Sequence, residues 1–395
     1  MRTKVFYNKP PEACYGCQAC SEACPVDAIK MQPDEEGFLF PRIDTDKCIE
    51  CGLCERSCPT QDSVYKPLMH ITPAEVDAAW EKSLDARRCS TSGGVFFAIA
   101  SRWVENGGVV YGAAFDSDIV VRHTRVDTLA ALDSLRGSKY VQSNVQNTFR
   151  EVRADLRSGL KVLYSGTPCQ IAGLRSFLKK DFDNLVTIDL VCHGTPSPMV
   201  FKDHIAYIES QHGIRLKDYK FREKHSGWRA YIKYVFSDGK SALNSLGKDF
   251  YAFSFYRSRF VRRSCFMCDF SCPKRVGDIT LSDFWHAEDH YKQLRLQRKY
   301  GFNMVMCNTE KGRMAYAAAA DLMEHMTVPS KVAIEGDVRL RHTEDMPAER
   351  SEMFRLYREN GYEWMKTHKG YHPGLRDRLV PNWLKNIVKE IQARI

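Results

Sequence analysis

The chain has 395 residues, 44% hydrophobic and 27% charged, which excludes a disordered or fibrous protein and allows two or three domains with a sizeable core. Lys and Arg number 58 against 49 Asp and Glu, a net charge of +9; this modest excess suits an acidic cofactor, a partner protein or an anionic membrane surface, and no nucleic-acid module accompanies it. Fifteen cysteines in metal-type spacings fit a reducing compartment, and with no signal-peptide core and no apolar run of membrane-spanning length the expectation is a cytoplasmic protein.

The first stretch carries the strongest signal. Cys14, Cys17, Cys20 and Cys24-Pro25 follow the spacing C-x-x-C-x-x-C-x-x-x-C-P, and Cys48, Cys51, Cys54 and Cys58-Pro59 repeat it 34 residues later. Three cysteines two residues apart wrap one iron–sulfur cube, and the fourth, set off by a proline, reaches the other cube. The spacing therefore predicts two 4Fe–4S clusters with crossed ligands: Cys14, Cys17, Cys20 and Cys58 on one, Cys48, Cys51, Cys54 and Cys24 on the other. Zinc knuckles pair C-x-x-C units rather than triple runs. Residues 1–66 resemble a bacterial two-cluster ferredoxin. Short strands are expected at 29–31 and 38–40 around the turn Asp34–Gly37.

Residues 67–88 read as a connector, with Thr72 and Pro73 opening a surface helix that runs through Asp85. From residue 89 the pattern turns α/β. Ser92-Gly93-Gly94 precedes a helical run over 95–104, and 109–113 reads as a strand. Such a turn offers free N–H groups to an anion, although an ordinary helix cap gives the same pattern. After the polar turn 136–143, a strand over 161–165 leads into Gly166-Thr167-Pro168-Cys169-Gln170 and a helix to Leu178. A second strand over 185–191 leads into Cys192-His193-Gly194 and a helix from Pro198. Strand, turn and helix in this succession predict a parallel or mixed sheet, with ligands beyond the carboxyl ends of its strands. A hairpin is expected over 228–240, a strand between Arg275 and Trp285, a helix over 312–326, and a charged helical tail from 331 that ends in a basic amphipathic helix over 379–395.

Cys265-x-x-Cys268-x-x-x-Cys272-Pro273 repeats part of the ferredoxin spacing with one cysteine missing. It predicts a third 4Fe–4S cluster completed from elsewhere, by Cys192 in preference to Cys169; Cys89 and Cys307 have weaker context. Zinc held by these three cysteines and a fourth ligand is the rival.

Taken together, Ser92-Gly93-Gly94, Gly137-Ser138-Lys139-Tyr140, Gly166–Gln170, Cys192-His193-Gly194, Gly277-Asp278-Ile279 and Asp283-Phe284-Trp285 resemble the coenzyme F420 hydrogenase/dehydrogenase beta-subunit family over residues 86–330. The resemblance implies an α+β ferredoxin-like module, an α/β flavin-binding domain with a mixed sheet over 89–330, and a helical C-terminal tail. It implies FAD held by Ser92, Gly93, Gly94, Ser138, Lys139, Tyr140, Gly166, Thr167, Pro168 and Gly194, with a 4Fe–4S cluster beside it. Lys139 is expected to stabilise negative charge and His193 to donate a proton. The function expected is an oxidoreductase passing electrons between a hydride-carrying coenzyme, F420-like or other, and a redox partner protein. The alternatives are an electron-transfer adaptor with no substrate of its own and a redox sensor.

Overall fold

The computed structural model describes residues 10–368, apart from 226, 229 and 230. The amphipathic helix expected over 379–395 lies outside the described residues. In the N-terminal module, β1 (Ile29–Pro33) and β2 (Leu39–Ile43) form an antiparallel ribbon in which Ile29 faces Ile43. The Asp34 carboxylate closes the turn between them by accepting the Glu36 and Phe38 N–H groups at 3.0 and 2.8 Å, the local bond that makes Asp a turn former.

The body strands in chain order are β3 (Glu75–Glu81), β4 (Val109–Phe115), β5 (Val121–Val126), β6 (Val162–Gly166), β7 (Leu185–Leu190), β8 (Leu216–Glu223), β9 (Tyr231–Phe236), β10 (Ser241–Ser245), β11 (Ile279–Asp283), β12 (Asn303–Cys307) and β13 (Met323–Pro329). Three of them form the separate sheet β10-β9-β8, and the rest an eight-stranded sheet ordered β13-β3-β12-β11-β7-β6-β4-β5. The centre of the large sheet, β4-β6-β7-β11, is parallel, and its outer pairs are antiparallel. The central strands read as unbroken apolar runs because helices cover both faces. Helices Thr148–Arg157 and Pro168–Leu178 pack on one face, and Val95–Glu105 on the other.

The segment from Thr72 to Asp85, expected as a surface helix, is β3 instead. Val76, Ala78 and Ala79 are buried and the strand pairs on both sides, with β12 and β13. Sheet pairing and burial override the helix-start signal of Thr72-Pro73. The helix expected over 312–326 runs over Glu310–Ala317 and stops; Met323–Pro329 is β13, so the alanine run is truncated by the same pairing. The tail is helical over Ser330–Gly336 and Arg350–Thr367.

Three arginines fasten the N-terminal module to the body. Arg262, 1% exposed, donates to the carbonyls of Cys14 (2.6 Å) and Leu39 (3.1 Å) and to Gln142 Oε1 (3.1 Å), and lies 4.2 Å from the Phe40 ring centroid. Arg150 donates to the carbonyls of Glu22 and Cys24. Arg350 grips both oxygens of Glu36, at 3.0 and 2.5 Å. These planar donors satisfy backbone oxygens that docking would otherwise strip of water.

Candidate cofactor pocket and cysteine clusters

A cavity of about 520 Å³ opens where β4, β6, β7 and β11 end, reached by Ala113, Ser165–Thr167, Leu190–Thr195 and Leu281–Asp283. This is the edge at which parallel strands place ligands. At one end lie the start of helix Val95–Glu105 and the turn Arg136–Gln142. Gly94, at φ +94°, precedes that helix with no side-chain cap, which leaves N–H groups facing the cavity. The Ser92 hydroxyl is taken up by the Phe302 carbonyl at 2.9 Å. Ser138 N–H donates to Thr91 Oγ1 at 2.7 Å. Lys139 donates to the Ser134 and Arg136 carbonyls at 2.9 and 2.8 Å, and burial pushes its amine down to about 8. Its charge thus stiffens the turn at the cavity wall.

Gly166, Thr167, Tyr140 and Gly194 also line the cavity. Thr167 caps helix Pro168–Leu178 in a capping box with Gln170. Tyr140 stacks on Phe255 with ring centroids 4.5 Å apart. Gly93 and Pro168 stay off the lining. A Cβ at Gly93 would stand 2.5 Å from the Ala79 carbonyl and 2.8 Å from the Asn303 amide. Close packing of β3 against β12 therefore accounts for that glycine, with no need of a ligand.

At the far end His193 sits between Ser258 Oγ (3.3 Å from Nε2) and Arg339 (3.4 Å from Nδ1). Burial, and then the Arg339 charge, push its imidazole down to about 4, so the ring meets the cavity uncharged near neutrality. His123, which no sequence motif marks, is held the same way between Ser143 Oγ and the Ser165 carbonyl, both at 3.0 Å, and burial pushes it to about 4. Arg222 on β8 pairs with Asp283, whose Oδ1 is buried without a hydrogen-bond partner. Arg339 is buried, and its Nε also lacks a partner. Asp283 and Trp285 carried a sequence signal through their motif; Arg222, Asp337 and Arg339 carried none.

The fifteen cysteines are all free thiols. Their electrostatic neighbours sort the eight N-terminal ones. Burial raises Cys17, followed by Cys58 and Cys14; Cys58, pushed up to about 11, feels Cys14 and Cys54 after burial and its Thr60 hydrogen bonds. Burial likewise raises Cys54, whose cysteine neighbours are Cys51 and Cys24. Cys14, Cys17, Cys20, Cys24 and Cys58 are buried, Cys48 and Cys54 half-buried and Cys51 exposed. Of the three-cysteine run, Cys268 is raised by burial and then by Cys169, Cys265 and Cys192. Cys169 in turn lies within reach of Cys17, Cys192 and Cys265. Cys192, pushed up to about 11 by burial, has Cys265 as its first charged neighbour. Cys265 Sγ receives the Thr195 N–H at 3.5 Å.

Cys272 stands apart from that group. Its thiol donates to the Asp269 and Lys274 carbonyls at 3.6 and 3.3 Å, and its charged neighbours are Arg275, Lys274 and Asp269. The run was expected to supply three ligands and one of Cys192 and Cys169 a fourth. The structure brings together Cys169, Cys192, Cys265 and Cys268, and turns Cys272 away, because Arg275 donates to the Cys272 carbonyl on its way to the buried Asp189. Cys89 and Cys307 have no cysteine among these neighbours. Among the described residues no group of three or more His, Cys, Asp or Glu converges on a single metal ion, and no helix is long and apolar enough to cross a membrane.

Residues 159–330 match the family described as the C terminus of the coenzyme F420 hydrogenase/dehydrogenase beta subunit, and residues 13–61 the 4Fe-4S dicluster domain. The chain belongs to the F420 hydrogenase/dehydrogenase beta-subunit family. In this family member the matched segment takes in β6 to β13 and the walls of the cavity from Ser165 to Asn303. Its N-terminal module is similar to ferredoxin-1 of Caulobacter vibrioides (41% identity over 73 residues, 18% of this chain and 56% of that protein) and to a ferredoxin of Alicyclobacillus acidocaldarius (44% over 55 residues, 13% and 63%). It is also similar to an uncharacterised polyferredoxin-like protein of Methanocaldococcus jannaschii (34% over 73 residues, 16% and 43%). The chain spans about half the length of the curated relatives it matches. A solved structure of the F420-reducing [NiFe] hydrogenase complex from Methanosarcina barkeri aligns with 79% of this family member and 98% of its own chain, at 17% identity and a TM-score of 0.44, too slight a likeness to carry a conclusion.

Proposed function

We propose that this family member is an iron–sulfur flavoprotein oxidoreductase that moves electrons between a hydride-carrying ligand in the cavity and a redox partner protein at the N-terminal module. One observation carries the reading: Cys169 and Cys192 line the cavity, share a group with Cys265 and Cys268, and Cys169 also reaches Cys17. Cavity, body cysteines and the set Cys14, Cys17, Cys20 and Cys58 are thus contiguous. Family membership and the ferredoxin relatives support the same reading.

The residues present fit FAD. The uncapped turn at Gly94 and the start of helix Pro168–Leu178 give N–H groups to a pyrophosphate. Arg136, whose buried Nε has no partner, and Lys139 add positive charge beside them. Asp283 Oδ1 and Arg339 Nε leave an acceptor and a donor free at the far end. Bound there, a flavin supplies the conversion between hydride and the single electrons that iron–sulfur clusters carry. The body cysteines would hold a third 4Fe–4S cluster, and the sets divided above would hold the other two. Apolar walls around Cys14–Cys20 keep water away, whereas Ile49, 60% exposed, and the exposed Cys51 present the outer set to a partner.

Anaerobic reconstitution of the full chain should give about twelve irons and one flavin. Cys169→Ser and Cys268→Ser should each lose about four irons, while Cys272→Ser keeps them all. A zinc-loaded product without acid-labile sulfide, or a Cys272→Ser protein as depleted as Cys268→Ser, refutes the assignment. Reduced F420 and NAD(P)H, offered separately to the flavin-loaded protein, then identify the hydride donor by bleaching.

A further inference from the structure

Tyr15 stands between Cys14 and Cys17, and its side chain is buried. Its phenol leaves the N-terminal module and donates to the Asp269 carboxylate, one residue after Cys268. The Asp269 N–H points back at the phenol oxygen from 3.4 Å. The Tyr15 ring packs on Phe270 at 5.4 Å between centroids, and Tyr65 packs on Phe270 at 5.7 Å. Gln142, which lines the cavity, donates to the Tyr15 carbonyl at 2.9 Å. A hydrogen bond therefore runs from the loop of one cysteine set to the loop of the other, inside an aromatic seam that excludes water.

We propose that Tyr15 and Asp269 are a positioning pair that sets the redox step between the body cysteine cluster and the cluster on Cys14, Cys17, Cys20 and Cys58. This rests on the third-cluster reading above. A fixed carboxylate beside Cys268, in a poorly screened interior, opposes arrival of an electron on the neighbouring cube and lowers its potential. The Tyr15 hydroxyl draws off part of that charge through its hydrogen bond. Burial, Cys268 and Asp269 all hold the phenol protonated, so one electron leaves one cube and enters the other with no proton crossing the seam. The pair also fixes the approach of the two loops, since each partner lies next to a cluster cysteine.

Two conservative variants separate charge from packing. Asp269→Asn removes the charge and keeps an oxygen to accept the Tyr15 hydroxyl. Tyr15→Phe removes the donor and keeps the ring on Phe270. An EPR-monitored potentiometric titration of the full chain, reconstituted without oxygen, should show the body-cluster midpoint rising in Asp269→Asn and falling in Tyr15→Phe, with iron content unchanged. Shifts of the same sign, or no shift in Asp269→Asn, overturn the inference. If Tyr15→Phe loses iron, the upward shift of Asp269→Asn decides alone. A parent protein with eight irons and no third signal overturns the third-cluster reading, and this inference with it.

Discussion

Replacing Arg262 by Met should loosen the N-terminal module from the body. The guanidinium is buried and donates to Cys14 O, Leu39 O and Gln142 Oε1. Hydrogen bonds from a charged group contribute about 1.5–3 kcal/mol each, so these three contribute roughly 5–9 kcal/mol in gross terms. Methionine keeps the stem and its contact with Phe40, and it removes the burial penalty of the charge, itself several kcal/mol. The net loss is then about 3 kcal/mol, concentrated where Cys14 and Leu39 are left with unpaired carbonyls. That corresponds to a roughly hundredfold rise in local opening. Hydrogen–deuterium exchange of the reconstituted protein reads it directly: amides around Cys14–Cys20 and β2 should exchange faster, with the large sheet unchanged. Equal protection in parent and variant at those amides refutes the argument that Arg262 fastens the module.

Asp249 accepts from Tyr219 (2.6 Å), Tyr234 (2.7 Å) and His204 (3.2 Å) in the core between the small sheet and the C-terminal helix. Asp249→Ala leaves these donors unpaired and should cost about 3–5 kcal/mol, read by denaturant midpoint. Burial pushes the Asp249 carboxyl up, but His204 and the donated hydrogen bonds bring it down to about 2. Its folded pKa lies below the unfolded one, so about 2 kcal/mol of stability is present above pH ~4 and lost as pH falls toward 2, a loss absent in Asp249→Ala. Glu81 behaves oppositely: burial raises its carboxyl from 4.5 to about 7, against the pull of Arg136, and Oε2 has no hydrogen-bond partner. The folded state there holds the extra proton, so stability falls as pH rises through that window; Glu81→Gln should melt higher than the parent at pH 8 and equally at pH 4. Gly194 sits at φ +124°, and a Cβ would stand 2.6 Å from Val261. Gly194→Ala should therefore cost about 1–3 kcal/mol and lower flavin retention, measured by melting temperature and bound absorbance.

Short-range signals were legible in the sequence. The helix starting at Pro168 and the strands around Val109, Val162 and Leu185 lie where turn residues and apolar runs put them. The failures were long-range. Nothing near Thr72 tells that Val76–Ala79 will find β12 and β13, and a good helix cap outweighed a short apolar pattern until the partners were known. The spacing Cys268-x-x-x-Cys272-Pro273 copied the ferredoxin run, but spacing says nothing of Asp189, buried beneath β11, which draws Arg275 and with it the Cys272 loop out of line. Cys169 and Cys192 were visible as strand-end residues, and their convergence with Cys265 and Cys268 needed the parallel order β6-β7-β11. Arg339 reaches the cavity from beyond the strands that build it, and no local pattern marks such a residue.

The position of β3 has a consequence for synthesis. It is made early, yet its sheet neighbours are β12 and β13, which leave the ribosome more than two hundred residues later. Until then Val76, Ala78 and Ala79 present a bare apolar edge, the kind of segment that recruits chaperones or aggregates. The cysteine runs before it are complete by residue 58. Cluster loading can therefore precede closure of the sheet, and iron-starved translation should leave nascent chains exposed on both counts at once.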